Sequence, residues 1–161
     1  MKLLKLATVC FLSLALICGA GVCTAADIAV TAGSVLAAST ATTSDVTAGA
    51  TITAGQVVYL DASDSNKAKL AITTTAATAN ARGISLHGAS SGQPLKIVVA
   101  GNLNPGGTVV VGKVYIVSPN NAGGIAPITD TGAGQYVTIL GIGTTATAIK
   151  LNFTISGVAV P

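Results

Sequence analysis

The chain is poor in the side chains that carry most enzymatic chemistry. It has no tryptophan, no glutamate and a single histidine, and only 8% of its 161 residues are charged. Its three cysteines, Cys10, Cys18 and Cys23, all lie near the N-terminus. The rest of the chain therefore has no disulfide, no thiolate nucleophile and no cysteine metal site. These shortages argue against catalysis, and we predict a protein that is not an enzyme and holds no metal or cofactor.

Residues 1–26 have the order of a secretory signal peptide. Lys2 and Lys5 form a basic start, an apolar stretch of about 16 residues follows, and small residues at its end offer a cleavage site. The apolar stretch is short for a membrane span. We therefore predict export, with a mature chain that begins at Ala26 or Asp27. Retention of the segment is the open alternative.

Charge is scarce in the remainder of the chain as well. After residue 26, six basic residues oppose five aspartates, which gives no basic surface for nucleic acid. Nineteen threonines supply much of the polarity there, whereas soluble monomers are about one quarter charged. We expect neighbouring subunits to cover part of so weakly charged a surface. The predicted partners are copies of this chain or a capsid or surface-layer protein, with membrane contact only through the leader during export.

Short apolar runs between clusters of turn formers predict β-strands. The predicted strands are Gln56–Leu60, Ala68–Thr73, Ile84–His87, Leu95–Ala100 and Ile149–Ile155. In the last strand, Ile149, Leu151, Phe153 and Ile155 alternate with polar residues, which predicts one buried face. No window after the leader has a helical stripe. The fold class predicted is all-β, a small barrel or sandwich.

The segment 27–50 is rich in Ala, Thr, Ser and Gly, so it cannot bury enough apolar surface to fold alone. We predict a flexible N-terminal arm there and a β-domain over residues 51–161. The arm carries spaced apolar residues that could pair with the sheet edge of a neighbouring subunit. These predicted assembly residues are Ile28, Val30, Val35, Leu36 and Val46.

The β-domain also repeats itself at an offset near 54 to 58 residues. Four stretches have an echo in the second half of the domain. The similar pairs are Gly55-Gln-Val-Val-Tyr59 with Gly112-Lys-Val-Tyr115, Lys69–Thr73 with Gly124–Thr129, Gly83-Ile84 with Gly141-Ile142, and Lys96-Ile97 with Lys150-Leu151. The pattern predicts two β-units that form one pseudo-symmetric core.

Three motifs suggest chemistry but have simpler interpretations. Residues 141–146 match a dinucleotide-binding G-x-G-x-x-A, yet a strand-like sequence follows where a helix is required. His87 shares its predicted strand face with Ser85, but no nucleophile elbow surrounds a serine. Asp61–Asn66 is rich in oxygen ligands but lacks the glycine and glutamate of a calcium loop, so a hairpin turn explains it better and weak ion binding stays open.

Four stretches of the β-domain resemble the bacteriophage capsid decoration, or cement, proteins. These are AGQVVYLDAS, ARGISLHGASSGQPLKIVVAG, VGKVYIVSPNNAGGIAP and ILGIGTTATAIKLNFTISG, within Thr51–Gly157. The resemblance rests on glycines and apolar positions rather than on catalytic residues. It implies a small all-β protein that binds the outside of an icosahedral head, often as an oligomer, and stabilises it.

A secretory leader does not fit a protein of the phage head, which assembles in the cytoplasm. Two alternatives therefore stay open. One is an exported component of a bacterial surface or filament, and the other is a secreted adhesin or carbohydrate-binding module. We expect the protein outside the cell or at its surface, or in a virion if the decoration resemblance reflects function.

Overall fold

The structure, a computed structural model, describes residues 26–161, so the predicted leader lies outside the described residues apart from Ala26. Ten strands dominate this part of the chain. They are β1 (Val35–Ala37), β2 (Thr42–Thr47), β3 (Val57–Asp61), β4 (Lys67–Leu70), β5 (Ala81–Ser85), β6 (Pro94–Pro105), β7 (Val114–Val117), β8 (Ile125–Pro127), β9 (Tyr136–Thr145) and β10 (Ala148–Ala159). One α-helix of four residues, α1 (Ala76–Ala79), joins β4 to β5. The all-β prediction is confirmed.

The strands form one antiparallel sheet that curls into a half-barrel, and the long strand β6 organises it. Val98 pairs with Thr43 of β2 and with Ile84 of β5, whereas Ala100 pairs with Thr42 of β2 and with Asn152 of β10. Because β2 stays on one edge of β6, β5 and β10 must follow one another along the other edge. The sheet therefore divides at the middle of β6.

The order of the strands confirms the predicted repeat. It runs β4-β3-β5-β6 and then β10-β9-β7-β8, so the second set of four repeats the neighbours of the first in reverse. We call β3 to β6 the first unit and β7 to β10 the second unit. Both units also have a register shift at the same place, between Val58 and Tyr59 in β3 and between Tyr115 and Ile116 in β7.

The repeat does not hold residue by residue. The first stretch of the echo has one residue more between its glycine and its tyrosine than the second. Aligned on the tyrosines, Tyr59 and Tyr115 both face the main core, whereas aligned on Gly55 and Gly112, Tyr115 matches Val58 of the opposite face. A slip of one residue in a strand exchanges its two faces. The echo thus found the right pair of strands, and their burial agrees only when the tyrosines are aligned.

The main core fills the space between the two units. Val57, Ile84 and Val98 of the first unit pack in one cluster with Leu140 and Leu151 of the second. The prediction that one face of β10 is buried along its whole length is wrong at the C-terminal end of the strand. Ile149 and Leu151 are buried, but Phe153 is half-buried and Ile155 is 39% exposed. β10 pairs with β6 only as far as Asn152, so its later residues extend past the core.

The segment 27–50 lies differently from the flexible arm that was predicted. β1 pairs with the C-terminal part of β6, and β2 pairs with its N-terminal part, so together they cover the edge that faces away from β5 and β10. A twelve-residue strand without them would leave one edge with unpaired backbone groups. Residues 27–50 accordingly belong to the folded region, which does not start at Thr51 as predicted.

Candidate functional site

The outer face of the first unit is covered by the chain itself. Val58 and Ile97 point away from the main core and form a second cluster with Ile52 and Ala89. Ile52 and Ala89 come from loops that fold over the sheet, where the Ile52 amide donates to the Ala89 carbonyl and the Ala89 amide donates back, both at 2.9 Å. Val58 and Ile97 are therefore buried on this side of the first unit, while Leu60 and Val99 beside them line a shallow groove.

The second unit leaves the corresponding surface of β9 and β10 open. Lys150 lies directly opposite Ile142 of β9 and Asn102 of β6, and Thr154 lies opposite Ile139. Opposed residues of an antiparallel pair project from the same face, and this face is the outer one because Ile149 and Leu151 point inward. We call this surface the open face. It consists of Asn102, Ile139, Ile142, Lys150, Asn152 and Thr154.

The shape and charge of the open face suit contact with a large partner. Its centre is a shallow groove of about 690 Å³ that is open to solvent, unlike the enclosed pockets that hold small ligands. Ile142 is 49% exposed. Lys150 is the sole charged residue among the groove's lining residues, which include no carboxylate. A partner would bind here through apolar contact and a carboxylate that faces Lys150.

The five predicted assembly residues separate into two groups. Ile28 and Val35 pack against the main core, and Val46 packs against the second cluster. Val30 is half-buried over Gly55. Only Leu36 is strongly exposed, at 69%. Four of the five thus stabilise their own chain.

Leu36 itself lies beside the open face. It sits opposite Asn104 in the pairing of β1 with β6. The next residue of β6 with the same orientation, two positions before Asn104, is Asn102 of the open face. The structure therefore brings one of the predicted assembly residues to the surface that sequence reasoning missed.

The Asp61–Asn66 turn holds an ion-pair cluster. Lys69 Nζ lies 2.8 Å from Asp61 Oδ2 and 3.1 Å from Asp64 Oδ2, and Lys67 Nζ lies 2.8 Å from Asp64 Oδ1. The hydrogen bond from Lys69, helped by Ser63, lowers the pKa of Asp61 to about 2. The lysines also lower the pKa of Asp64. The carboxylates that could bind a cation are already paired with ammonium groups.

The remaining motifs have structural roles. The Ser85 side chain is bonded to the turn at residues 53–56, where its Oγ accepts from the Gln56 amide at 3.0 Å. His87 Nε2 accepts from the Lys96 amide at 3.0 Å, which joins β5 to β6. Residues 141–146 form the end of β9 and the turn that follows, so no helix starts at these glycines. The tyrosines Tyr59, Tyr115 and Tyr136 are buried or half-buried.

Residues 26–161 contain no group of three His, Cys, Asp or Glu side chains that could hold a metal ion. None of the helices described there is long and apolar enough to cross a membrane. No protein-family model matches the chain, and no curated protein matches it either. The candidate site therefore rests on the geometry of the chain.

The open face carried a signal in the sequence. The polar residues of β10 alternate with its buried ones, and this alternation was predicted. Two features could not be read from it. They are the position of Ile142 opposite Lys150, which depends on strand register, and the lack of a covering loop among residues 26–161.

Proposed function

We propose that this chain is a non-enzymatic structural protein that assembles on a protein particle or with copies of itself, as capsid decoration proteins do. The observation that carries the proposal is the difference between its two units. The chain covers the outer face of the first unit with Ile52 and Ala89 but leaves Ile142 and Lys150 of the second unit exposed. Exposed apolar sheet surface of this kind marks interaction sites in proteins.

The chemistry of the partner follows from the open face. Backbone groups in the middle of β9 and β10 are already paired on both sides, so a partner meets side chains there rather than a strand edge. The surface offers isoleucine, asparagine and threonine around one lysine. We therefore propose a protein partner with an apolar contact and an acidic residue, such as a capsid or surface-layer subunit. We also propose that the predicted leader directs the chain to the outside of the cell.

The test compares one substitution in the open face with a matched one outside it. Ile142→Asp places a charge at the centre of the proposed interface, whereas Val111→Asp does so at a loop residue that is 63% exposed. Light scattering and electron microscopy of the protein from its own host measure assembly. We expect wild type and Val111→Asp to form the same particles or oligomers and Ile142→Asp to lose them. Equal assembly of all three proteins would contradict the proposal.

A further inference from the structure

We propose that the N-terminal segment of one copy of this chain binds in a groove of a second copy, so that neighbouring subunits are linked by strand exchange. The segment is the strap, residues 27–34, together with β1. This inference rests on the proposed function in one respect, that the chain acts in an assembly. The groove that holds the strap is a different surface from the open face, although Leu36 of β1 lies beside that face.

The strap lies in a groove whose floor is made of glycines. A Cβ on Gly107 would lie 2.6 Å from the Ala29 carbonyl oxygen, and a Cβ on Gly55, Gly106 or Gly124 would also collide with the strap. Side chains at Gly106 and Gly107 would collide with the backbone of the strap, whereas at Gly55 and Gly124 they would meet the side chains of Val30 and Asp27. The groove therefore fits an extended chain and holds one.

Main-chain and side-chain contacts hold the strap in register. The Ile28 amide donates to the Ile125 carbonyl at 2.8 Å, and the Thr31 amide donates to the Gly106 carbonyl at 2.9 Å. Asn121 Nδ2 donates to Asp27 Oδ2 at 2.8 Å. Ile28 and Val35 place their side chains against the main core. Each of these contacts joins the segment to the groove, so a segment from another copy would make the same ones.

The connection behind β1 allows the segment to leave its own groove. Residues 38–41 are Ala-Ser-Thr-Ala, and the first three are exposed. Two backbone bonds hold them, from the Ala41 amide to the Ala38 carbonyl and from the Ala38 amide to the Asn102 carbonyl, both at 2.9 Å, and of the four only Ala41 packs against the main core. β2 beyond them is anchored by six residue pairs. Exchange of an identical element between copies costs little because the contacts are conserved.

Two single-cysteine chains with different tags test the exchange. One full-length chain carries Asp27→Cys and the other Asn121→Cys, and in both chains Cys10, Cys18 and Cys23 are changed to serine. Each chain carries a cysteine on only one side of the contact between residues 27 and 121. A disulfide between the two differently tagged chains is therefore favoured when the strap of one copy lies in the groove of the other. We expect this mixed dimer on oxidation, and its loss when both chains also carry Gly107→Val.

A single chain with both Asp27→Cys and Asn121→Cys provides the comparison. If this chain forms an intramolecular disulfide while the tagged mixture gives no mixed dimer, the proposed strand exchange does not occur. A wild-type chain that stays monomeric by light scattering at every concentration overturns the proposal as well. Circular dichroism of the Gly107→Val chain confirms that the sheet is still formed.

The two proposals fail separately. If Ile142→Asp chains still form mixed dimers but no longer form particles, the dimers support strand exchange and the loss of particles supports the open face as an interface. Loss of assembly in Ile142→Asp together with no mixed dimer would overturn the exchange alone.

Discussion

The first and second units have the same strand neighbours, but within residues 26–161 loops cover the centre of the outer face in the first unit and not in the second. In the first unit, Ile97 is 1% exposed under the loops that carry Ile52 and Ala89. In the second unit, Ile142 occupies the outer face of β9 and is 49% exposed. The same arrangement of strands thus produces a closed layer in one half and an available surface in the other. The connecting loops, not the sheet, decide which surface is free.

The charges follow the same division. The four ion pairs found in residues 26–161 all join residues of the first unit or of β2, which flanks it. Lys150 on the open face is in none of them. Exposed ion pairs contribute little to stability, so their effect on the first unit is mainly to neutralise its surface. The open face thus carries a positive charge that none of these four ion pairs neutralises.

The largest expected effect is the difference in stability lost when Ile97 or Ile142 is changed to alanine. Ile97→Ala leaves a cavity in the second cluster and should lower the free energy of unfolding by about 2–5 kcal/mol. Ile142→Ala removes a side chain that is half in water and should cost less than about 1 kcal/mol in the dispersed protein. Urea unfolding followed by circular dichroism measures both. Similar losses for the two variants would mean that the outer faces are equally covered.

A smaller effect is expected along β10, where the core ends. Phe153 is half-buried against the core, so Phe153→Ala should cost about 2 kcal/mol, roughly half the value for a fully buried phenylalanine. Asn152→Ala, on the open face, should cost less than about 0.5 kcal/mol. The same urea experiment applies. A loss at Phe153 as large as that for Leu151→Ala would place the edge of the core further along the strand.

The smallest expected effect is the loss of folding stability at low pH through Asp61. The pKa of Asp61 is lower in the folded protein than its ordinary value of 3.8, chiefly because Lys69 donates to it. Its carboxylate therefore stabilises the fold above about pH 4, and this contribution is lost as the pH falls toward 2. The raised pKa of Lys69 acts at the other extreme, where its contribution is lost only as the pH rises through that value.

A substitution series checks the acid effect. The urea midpoint should fall between pH 5 and pH 2 more in wild type than in Asp61→Asn, because the amide does not titrate. Lys150→Ala, on the open face, should leave the wild-type pH dependence unchanged. The same slope in wild type and Asp61→Asn would show that the ion pair does not form in solution.

The sequence predicted the elements better than their surroundings. The alternation of β10 as far as Leu151 and the turn at residues 61–66 are local properties, and both stand in the structure. The internal repeat predicted two β-units, and the order of the strands agrees with them. The placement of residues 27–50 could not be predicted because their composition is that of a linker, and they become strands only because β6 offers them an edge.

The open face could not be predicted from the sequence either. Lys150 and Asn152 were predicted to point outward, but exposure alone is common on a surface. The open face is distinguished by what the loops fail to cover, and loop paths depend on contacts such as Ile52 with Ala89 that are distant in sequence. The extra residue between Gly55 and Tyr59 shows that a repeat alignment alone does not decide which face of a strand is buried.

The reactivity of two lysines tests the central claim most directly. Lys150 lies on the open face, whereas Lys96 lies in the first unit with its side chain 45% exposed. An acylating reagent is applied to the assembled and to the dilute, dispersed protein, and peptide mass spectrometry gives the labelling rate of each lysine. We predict that assembly slows the labelling of Lys150 severalfold and leaves that of Lys96 unchanged. Equal labelling of Lys150 in both forms, with Lys96 protected instead, would contradict the account.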